Sequence, residues 1–209
     1  MSDQLAFAPM SGLVRVERVD GIATITLCNG SKRNALTPAI LDDVAGVIRA
    51  AARRARPDAD GVYAILLHGE GPMFCSGFDL DACHADANVL RKLLAGLAAI
   101  VRLMRDEIDV PVVIAAHGGA IAGGCAMLGG ADVVVADAQA KFGYPVTMLG
   151  LSPAVSAPYM RRAISDGATR ARLLQPSLVT GEEAARLGLV HECVPTAAEV
   201  LPRAIAVAR

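Results

Sequence analysis

The sequence predicts an α/β fold in which helices cover a β-sheet, and two observations carry that prediction. Apolar segments of strand length alternate along the chain with longer segments whose apolar residues recur at helical spacing. The order strand, glycine-rich loop, helix occurs twice, once after residue 62 and again after Pro111. Such alternation is typical of sheet layers packed against helices. Because no low-complexity tract, charge run or linker interrupts the 209 residues, we expect a single domain over 1–209.

The first predicted elements depend on turn and cap residues. Two segments that alternate apolar and polar residues flank Asp20-Gly21, a pair that favours a tight hairpin turn. Thr37 followed by Pro38 is typical of a helix start, and the apolar residues that follow have helical spacing. The elements predicted in this half are strands at 13–19 and 22–27, a helix at 38–52, a buried strand at 62–67, a break at 79–86 and a helix at 88–106.

The second half repeats the same order of elements. Near its end, Thr180 and Glu183 have the spacing of a capping box, and Gly188 is placed where a helix would stop. The elements predicted in this half are a strand at 112–116, a short helix from about Gly124, a strand at 132–137, a helix at 181–187 and a last strand at 189–194.

The composition limits the classes of function. Hydrophobic residues make up 54% of the chain and charged residues 20%, which predicts a well-packed globular protein. Twenty Lys and Arg against 21 Asp and Glu leave a net charge of -1, so neither nucleic acid nor an anionic membrane is expected as the main partner. The 5 cysteines lack a CxxC spacing and the first ten residues do not resemble a signal peptide. Reduced thiols and a cytoplasmic location are therefore expected.

Two glycine-rich loops, HGEGPMFCSG at 68–77 and GGAIAGGCAMLGG at 118–130, follow buried strands and lead towards helices. Loops of this kind can direct free backbone N–H groups into a cleft, and glycine permits close approach of a ligand. Two such groups that converge on one oxygen form an oxyanion hole. The alternative interpretation is a pair of tight strand-to-helix connections without chemistry. The sequences GxGxxG and GxxxxGK[ST] are absent, which disfavours a nucleotide-phosphate site.

Several motifs, in their chain order, resemble the crotonase family, also called the enoyl-CoA hydratase/isomerase family. They are NAL at 34–36, FCSGFDL at 74–80, GGAIAGGCAMLGGADVVVAD at 118–137, FGYPVTMLGLSPAVSAPYMRR at 142–162 and GEEAARLGLVHECVP at 181–195. The resemblance covers nearly the whole chain. It implies a crotonase-like spiral of ββα repeats that binds an acyl-CoA thioester, with coenzyme A as part of the substrate and no separate cofactor.

The resemblance also implies roles for particular residues. Matched motif by motif, the two backbone donors of an oxyanion hole fall on Phe78 and Gly123. The residues implied to bind the coenzyme A portion, by contact with phosphate or by shaping the nucleotide pocket, are Lys32, Arg33, Ala35, Asp79 and Leu80. For three of these residues an alternative to coenzyme A binding stays open. Lys32 and Arg33 would then simply belong to a solvated turn, and Asp79 to a helix start, where an anion is favourable.

The sequence departs from the family pattern at its acid–base positions. Hydratases of the family hold water with two glutamates, and the matching positions here are Ala126 and Val146, which cannot transfer a proton. Tyr144 is the first candidate for a replacement catalytic group. Two functions therefore remain open. The protein is either an enzyme of enolate chemistry, such as hydration, isomerisation or decarboxylation, or a catalytically silent acyl-CoA binder or partner subunit.

Assembly and metal binding are the last expectations. The resemblance suggests a homotrimer or hexamer, although the C-terminal segment that builds trimers in relatives is expected to be short or missing, because the chain stops at Arg209. No metal site is expected, since Cys83, His84 and Asp86 are too few and too loosely spaced for a coordination set.

Overall fold

A computed structural model describes residues 8–55 and 61–209, apart from the side chain of Ala87. The β-strands of these residues are β1 Val14–Val19, β2 Ile22–Leu27, β3 Ala64–Gly69, β4 Val112–Ala115, β5 Gly119–Ile121, β6 Val133–Asp137, β7 Lys141–Gly143, β8 Val179–Thr180 and β9 Glu192–Val194. The α-helices are α1 Pro38–Ala52, α2 Leu80–Ala85, α3 Ala87–Arg102, α4 Gly123–Met127, α5 Ala157–Ala163, α6 Asp166–Leu174, α7 Gly181–Leu187 and α8 Ala197–Ala208. A π-helical turn at Leu103–Glu107 extends α3.

The main sheet has six strands in the order β1-β2-β3-β4-β6-β9. β1 and β2 pair antiparallel, and every later pair in this sheet is parallel. The hairpin turn between β1 and β2 has positive φ at Asp20 (49°) and Gly21 (73°), as the predicted two-residue turn requires. The parallel strands carry mostly apolar side chains because both faces of the sheet are covered.

Alternate residues of β3 show how the two faces are packed. Ile65 and Leu67 belong to the large core that includes α1 and α3. Ala64 and Leu66 point to the opposite face, where they pack with α8 residues such as Val200 and Ala204. Because the side chains of a strand alternate between faces, this pattern places the sheet between two helical layers.

A second, smaller sheet has the order β5-β7-β8. β5 and β7 are parallel, with Gly119 opposite Lys141, and β7 and β8 are antiparallel, with Phe142 opposite Val179. This sheet holds the second glycine-rich loop against the FGYP segment, because β5 leads into α4 and β7 leads into Tyr144. It therefore fixes the relative positions of the two segments that border the candidate site.

Several predicted elements are confirmed and others are corrected. The structure confirms the hairpin and the predicted ends of α1 and α7. The predicted cap residues also act as caps: Thr37 accepts a hydrogen bond from the Ile40 amide, and Thr180 accepts one from the Glu183 amide. β3 and β9 begin 2 and 3 residues later than predicted. The predicted break at 79–86 is wrong, because residues 80–85 form α2.

The α/β spiral expected from the sequence is confirmed by this architecture. Among the residues that the structure describes, no helix combines the length and the apolar character needed to cross a membrane.

Candidate active site

The two glycine-rich loops lie side by side and are joined by backbone hydrogen bonds. Cys75 and Ala120 form an isolated parallel bridge. Its two bonds run from the Cys75 amide to the Gly119 carbonyl (3.4 Å) and from the Ile121 amide to the Cys75 carbonyl (3.0 Å). A Cβ atom at Gly77 would lie 3.4 Å from the Gly123 nitrogen, which shows how closely the loops approach. The main chain itself thus brings the neighbourhood of Phe78 to the start of α4.

The backbone N–H of Phe78 points away from the NAL segment at 34–36, which pairs with the Phe78 segment. Leu36 and Phe78 form a second parallel bridge, in which the Leu36 amide donates to the Gly77 carbonyl (2.7 Å) and the Asp79 amide donates to the Leu36 carbonyl (3.0 Å). Successive N–H groups of an extended segment point in opposite directions. The Phe78 amide therefore points towards the cleft, and it donates no hydrogen bond to any residue in the described part of the chain.

Gly123 is the first residue of α4, so its amide has no acceptor within the helix. It likewise donates no hydrogen bond to any described residue. The preceding residue, Ala122, has φ 50° and ψ −110°, a conformation that non-glycine residues rarely adopt. Such a conformation costs about 1–3 kcal/mol and persists only where the surroundings hold it. Here the Ala122 amide donates to the Gly143 carbonyl at 2.8 Å, which anchors the turn to β7.

Two positions of this turn require glycine, because a Cβ atom there would have no room. A Cβ atom at Gly123 would lie 2.9 Å from Cε1 of Phe78, and one at Gly124 would lie 2.5 Å from the Cys75 carbonyl oxygen. Contacts this short would force the loops apart. The two unpaired amides of Phe78 and Gly123 therefore stay close together only with small residues at these positions.

Asn34, in the NAL motif, ties a third segment to this arrangement. The residue is fully buried, and its side-chain amide donates to the carbonyls of Glu70 (2.8 Å) and Met73 (2.9 Å) in the first glycine-rich loop. Its own φ is 54°. The resemblance implies coenzyme A binding near NAL, and the sequence carries no signal for this positioning role of the Asn34 side chain.

A cavity of about 540 Å³ opens beside the two amides. Phe78 and Gly123 line it, and so do Ala126 and Val146, the positions that differ from the hydratase pattern. Among the described residues that line it, Tyr144 is the only one with an ionisable side chain. The other lining residues are almost all apolar: Ser76, Leu80, Leu94, Leu97, Ile121, Ala122, Pro145, Met148, Leu149, Leu151, Ser152, Pro153, Val155 and Ser156. We call this the apolar cavity.

Tyr144 is the largest polar side chain of the apolar cavity and is almost fully buried, at 3% exposed. Burial raises the pKa of Tyr144 well above its ordinary value, and its hydroxyl interacts with the side chains of Ser156 and Cys125. Burial also raises the pKa of the Cys125 thiol to about 11. Both groups are therefore protonated at neutral pH, so Tyr144 can donate a hydrogen bond or a proton but does not act as a general base there.

The proposed coenzyme A residues lie on the adjoining segments. Asp79 caps α2 by accepting from the Ala82 amide at 3.3 Å, and the Lys32 ammonium donates to its other oxygen at 2.9 Å. The hydrogen bond from Lys32 is the main cause that lowers the pKa of Asp79. Arg33 is exposed with φ 52°, Ala35 is buried, and Leu80 is partly exposed at the edge of the apolar cavity. Asp79 is therefore an anion at a helix start, and its contact with coenzyme A stays a prediction.

Replacing Lys32 by methionine is expected to raise the pKa of Asp79. The carboxyl titrates below its unfolded value of about 3.9 in the folded protein, so the pair stabilises the fold above that pH. This stabilisation is lost as the pH falls through the folded pKa of Asp79. NMR titration of Asp79 measures the effect, with Lys92→Met as the control because Lys92 is an exposed lysine on α3. An Asp79 titration that is the same in wild type and Lys32→Met would contradict the pair.

The described residues hold no cluster of three or more His, Cys, Asp or Glu side chains suited to a metal ion. His84 lies in α2 and Asp86 caps α3 by accepting from the Asn88 amide at 2.8 Å. Asp86 thus serves as a helix cap.

The fold and the loop geometry define the class of this protein. A putative enoyl-CoA hydratase/isomerase (crotonase) of Legionella pneumophila matches with a TM-score of 0.85 at 26% identity, over 94% of this chain and 74% of that one. The human enoyl coenzyme A hydratase domain-containing protein 3 matches with a TM-score of 0.84 at 27% identity, over 94% of this chain and 76% of that one. The architecture is therefore the crotonase fold.

Sequence comparison then gives the family. The model for enoyl-CoA hydratase/isomerase matches residues 17–209, so the chain belongs to that family. An enoyl-CoA hydratase of Alternaria alternata is 32% identical over 192 residues, which are 91% of this chain and 63% of that protein. A probable enoyl-CoA hydratase of Mycobacterium tuberculosis is 33% identical over 174 residues, 80% of this chain and 64% of that protein. The chain thus spans less than two thirds of the length of these relatives.

Proposed function

We propose that the protein binds an acyl-CoA thioester and holds the thioester carbonyl between the N–H groups of Phe78 and Gly123. The observation that supports this most is the pair of unpaired amides on adjoining loops, both lining the apolar cavity. Backbone donors held by main-chain bridges are preorganised for an oxygen that becomes negatively charged. Family membership supports the same ligand, because crotonases act on acyl-CoA thioesters.

The proposed chemistry is stabilisation of a thioester enolate, in a lyase or isomerase reaction of the enoyl-CoA hydratase type. Decarboxylation is the version least affected by the missing glutamates, because it forms the enolate without a base. The bond between Cα and the carboxylate breaks, its electron pair forms the enolate held by the two amides, and carbon dioxide leaves without any base. The enolate then takes a proton at Cα, for which the protonated Tyr144 is the candidate donor.

A second function is favoured by one specific observation. With Ala126 and Val146 in place, no described residue supplies a carboxylate to the apolar cavity, so hydration lacks the groups that hold and deprotonate water. The second candidate is therefore a catalytically silent acyl-CoA binder or partner subunit. Product analysis with crotonyl-, longer enoyl- and malonyl-type thioesters separates the two, since only an enzyme converts one of them. The cytoplasmic location stays a prediction, because a mouse relative is named as mitochondrial.

Binding is the first expected result. Acetyl-CoA, crotonyl-CoA and a longer enoyl-CoA should each give heat in titration calorimetry and raise the unfolding temperature, because a ligand bound only by the native state stabilises it. The longer acyl group should bind tightest, since it buries more apolar surface. Free coenzyme A is the control for the nucleotide portion. No heat and no thermal shift with any of the thioesters would exclude both proposed functions.

A homotrimer or hexamer is the proposed assembly. Light scattering on the 209-residue chain at micromolar concentration measures its mass against 21.6 kDa for one copy. A mass three or six times that of the chain supports the proposal. A clean monomer contradicts it.

A further inference from the structure

A second cavity, of about 390 Å³, lies against the apolar cavity. Three residues, Ala126, Tyr144 and Ser156, line both of them and form the partition between them. The rest of the second cavity is more polar. Exposed side chains of Arg105, Asp132, Arg162 and His191 are among the residues that line it.

The partition depends on one side chain. Ala126 contributes a methyl group and Ser156 a hydroxymethyl group, whereas Tyr144 contributes an aromatic ring. The ring is held in place, because Tyr144 is only 3% exposed and its hydroxyl interacts with Ser156 and Cys125. Removing the ring would join the two cavities without changing either oxyanion donor, since those are the backbone amides of Phe78 and Gly123.

We propose that Tyr144 sets the length limit of the acyl group: its ring closes the apolar cavity, so the protein selects acyl chains that end there. This inference rests on the proposed acyl-CoA function. It concerns where the acyl chain stops, and it holds whether or not the protein catalyses a reaction.

Chain-length dependence follows from this geometry. Each methylene group buried in an apolar site strengthens binding about fourfold. Affinity should therefore rise with chain length until the acyl group reaches the ring and then stop rising. A carboxylate at the far end of a long acyl chain, beside the ring, should weaken binding, because no cationic side chain of the described residues lines the apolar cavity to pair with it.

The test is a calorimetric series of saturated acyl-CoA thioesters from butanoyl to tetradecanoyl. Wild type is compared with Tyr144→Leu, which removes the ring and keeps an apolar side chain. Tyr159→Leu is the matched control, because Tyr159 lines the second cavity but does not line the apolar one. In Tyr144→Leu the length at which affinity stops rising should increase by at least two carbons, with about a tenfold or larger gain for the longest chains. In Tyr159→Leu the limit should match wild type.

Each other outcome overturns the inference. Wild-type affinity that rises through tetradecanoyl without a limit means that no ring stops the chain. The same limit in wild type and Tyr144→Leu places the stop elsewhere. Should Tyr144→Leu not fold, Tyr144→Met retains more of the packing and should shift the limit in the same direction. Absence of any acyl-CoA binding by wild type overturns the proposed function as well, whereas an unshifted limit overturns only the role of Tyr144.

Discussion

Replacing Phe78 by proline is expected to lower the turnover of the best acyl-CoA substrate by about 10²–10³, the usual cost of losing one oxyanion donor. Proline has no N–H, so the substitution deletes one of the two donors of the proposed hole. The Phe78 amide donates to no described residue, so no hydrogen bond of the fold is lost with it. The preceding residue is Gly77, which tolerates the restriction that proline places on its neighbour.

The control for this experiment is Phe78→Leu, which changes the side chain but keeps the amide hydrogen. It should retain most of the turnover that Phe78→Pro loses. Circular dichroism and thermal unfolding show whether each variant is folded, and initial rates with a malonyl-type thioester supply the readout. Full turnover in a folded Phe78→Pro protein would show that the hole has been assigned to the wrong amide.

Crotonyl-CoA hydration by the native chain is expected to be very weak or absent, and the double substitution Ala126→Glu with Val146→Glu should raise it. General acid–base groups contribute about 10²–10⁴-fold each, although residues that act as a unit are not additive. Both positions line the apolar cavity beside Phe78 and Gly123, so the introduced carboxylates would face the same cavity as the substrate carbonyl. Initial rates of crotonyl-CoA hydration measure the change.

The matched control is Ala126→Gln with Val146→Gln, which adds side chains of the same size that cannot accept the proton of water. Only the glutamate pair should gain activity. Two carboxylates in an apolar cavity destabilise the fold unless they are paired or solvated, so unfolding is measured beside the rates. Native hydration at the rate of an ordinary hydratase would contradict this prediction and make Tyr144→Phe the next variant to assay.

The sequence predicts those elements whose signals are local. α1 has a cap residue, a proline at its first position and an apolar stripe, so both of its ends could be placed. β5, β7 and β8 have only 3, 3 and 2 residues, too few to show an alternating hydrophobic pattern. They form because segments that are distant in the sequence pair with each other. α8 carries Pro202 within it, a residue that ordinarily marks the end of a helix, and its packing against the main sheet compensates.

The residues of the candidate site also divide into those that a local sequence signal identifies and those that only the folded structure brings together. Phe78 and Gly123 are identified by motif, and the structure brings the two loops that carry them together. Lys32 and Asp79 are 47 residues apart, so no spacing rule joins them, and the ion pair emerges only when the chain is folded. The partition formed by Ala126, Tyr144 and Ser156 is likewise invisible in the sequence, since a shared wall depends on which side chains face which space.

Two of the isolated bridges, Leu36 to Phe78 and Cys75 to Ala120, join the NAL segment and the two glycine-rich loops through main-chain atoms. The placement of the paired amides is therefore uncoupled from the identity of the side chains at positions 126 and 146. Substitutions at these two positions are therefore expected to change the reactive groups of the apolar cavity while the two proposed oxyanion donors keep their places.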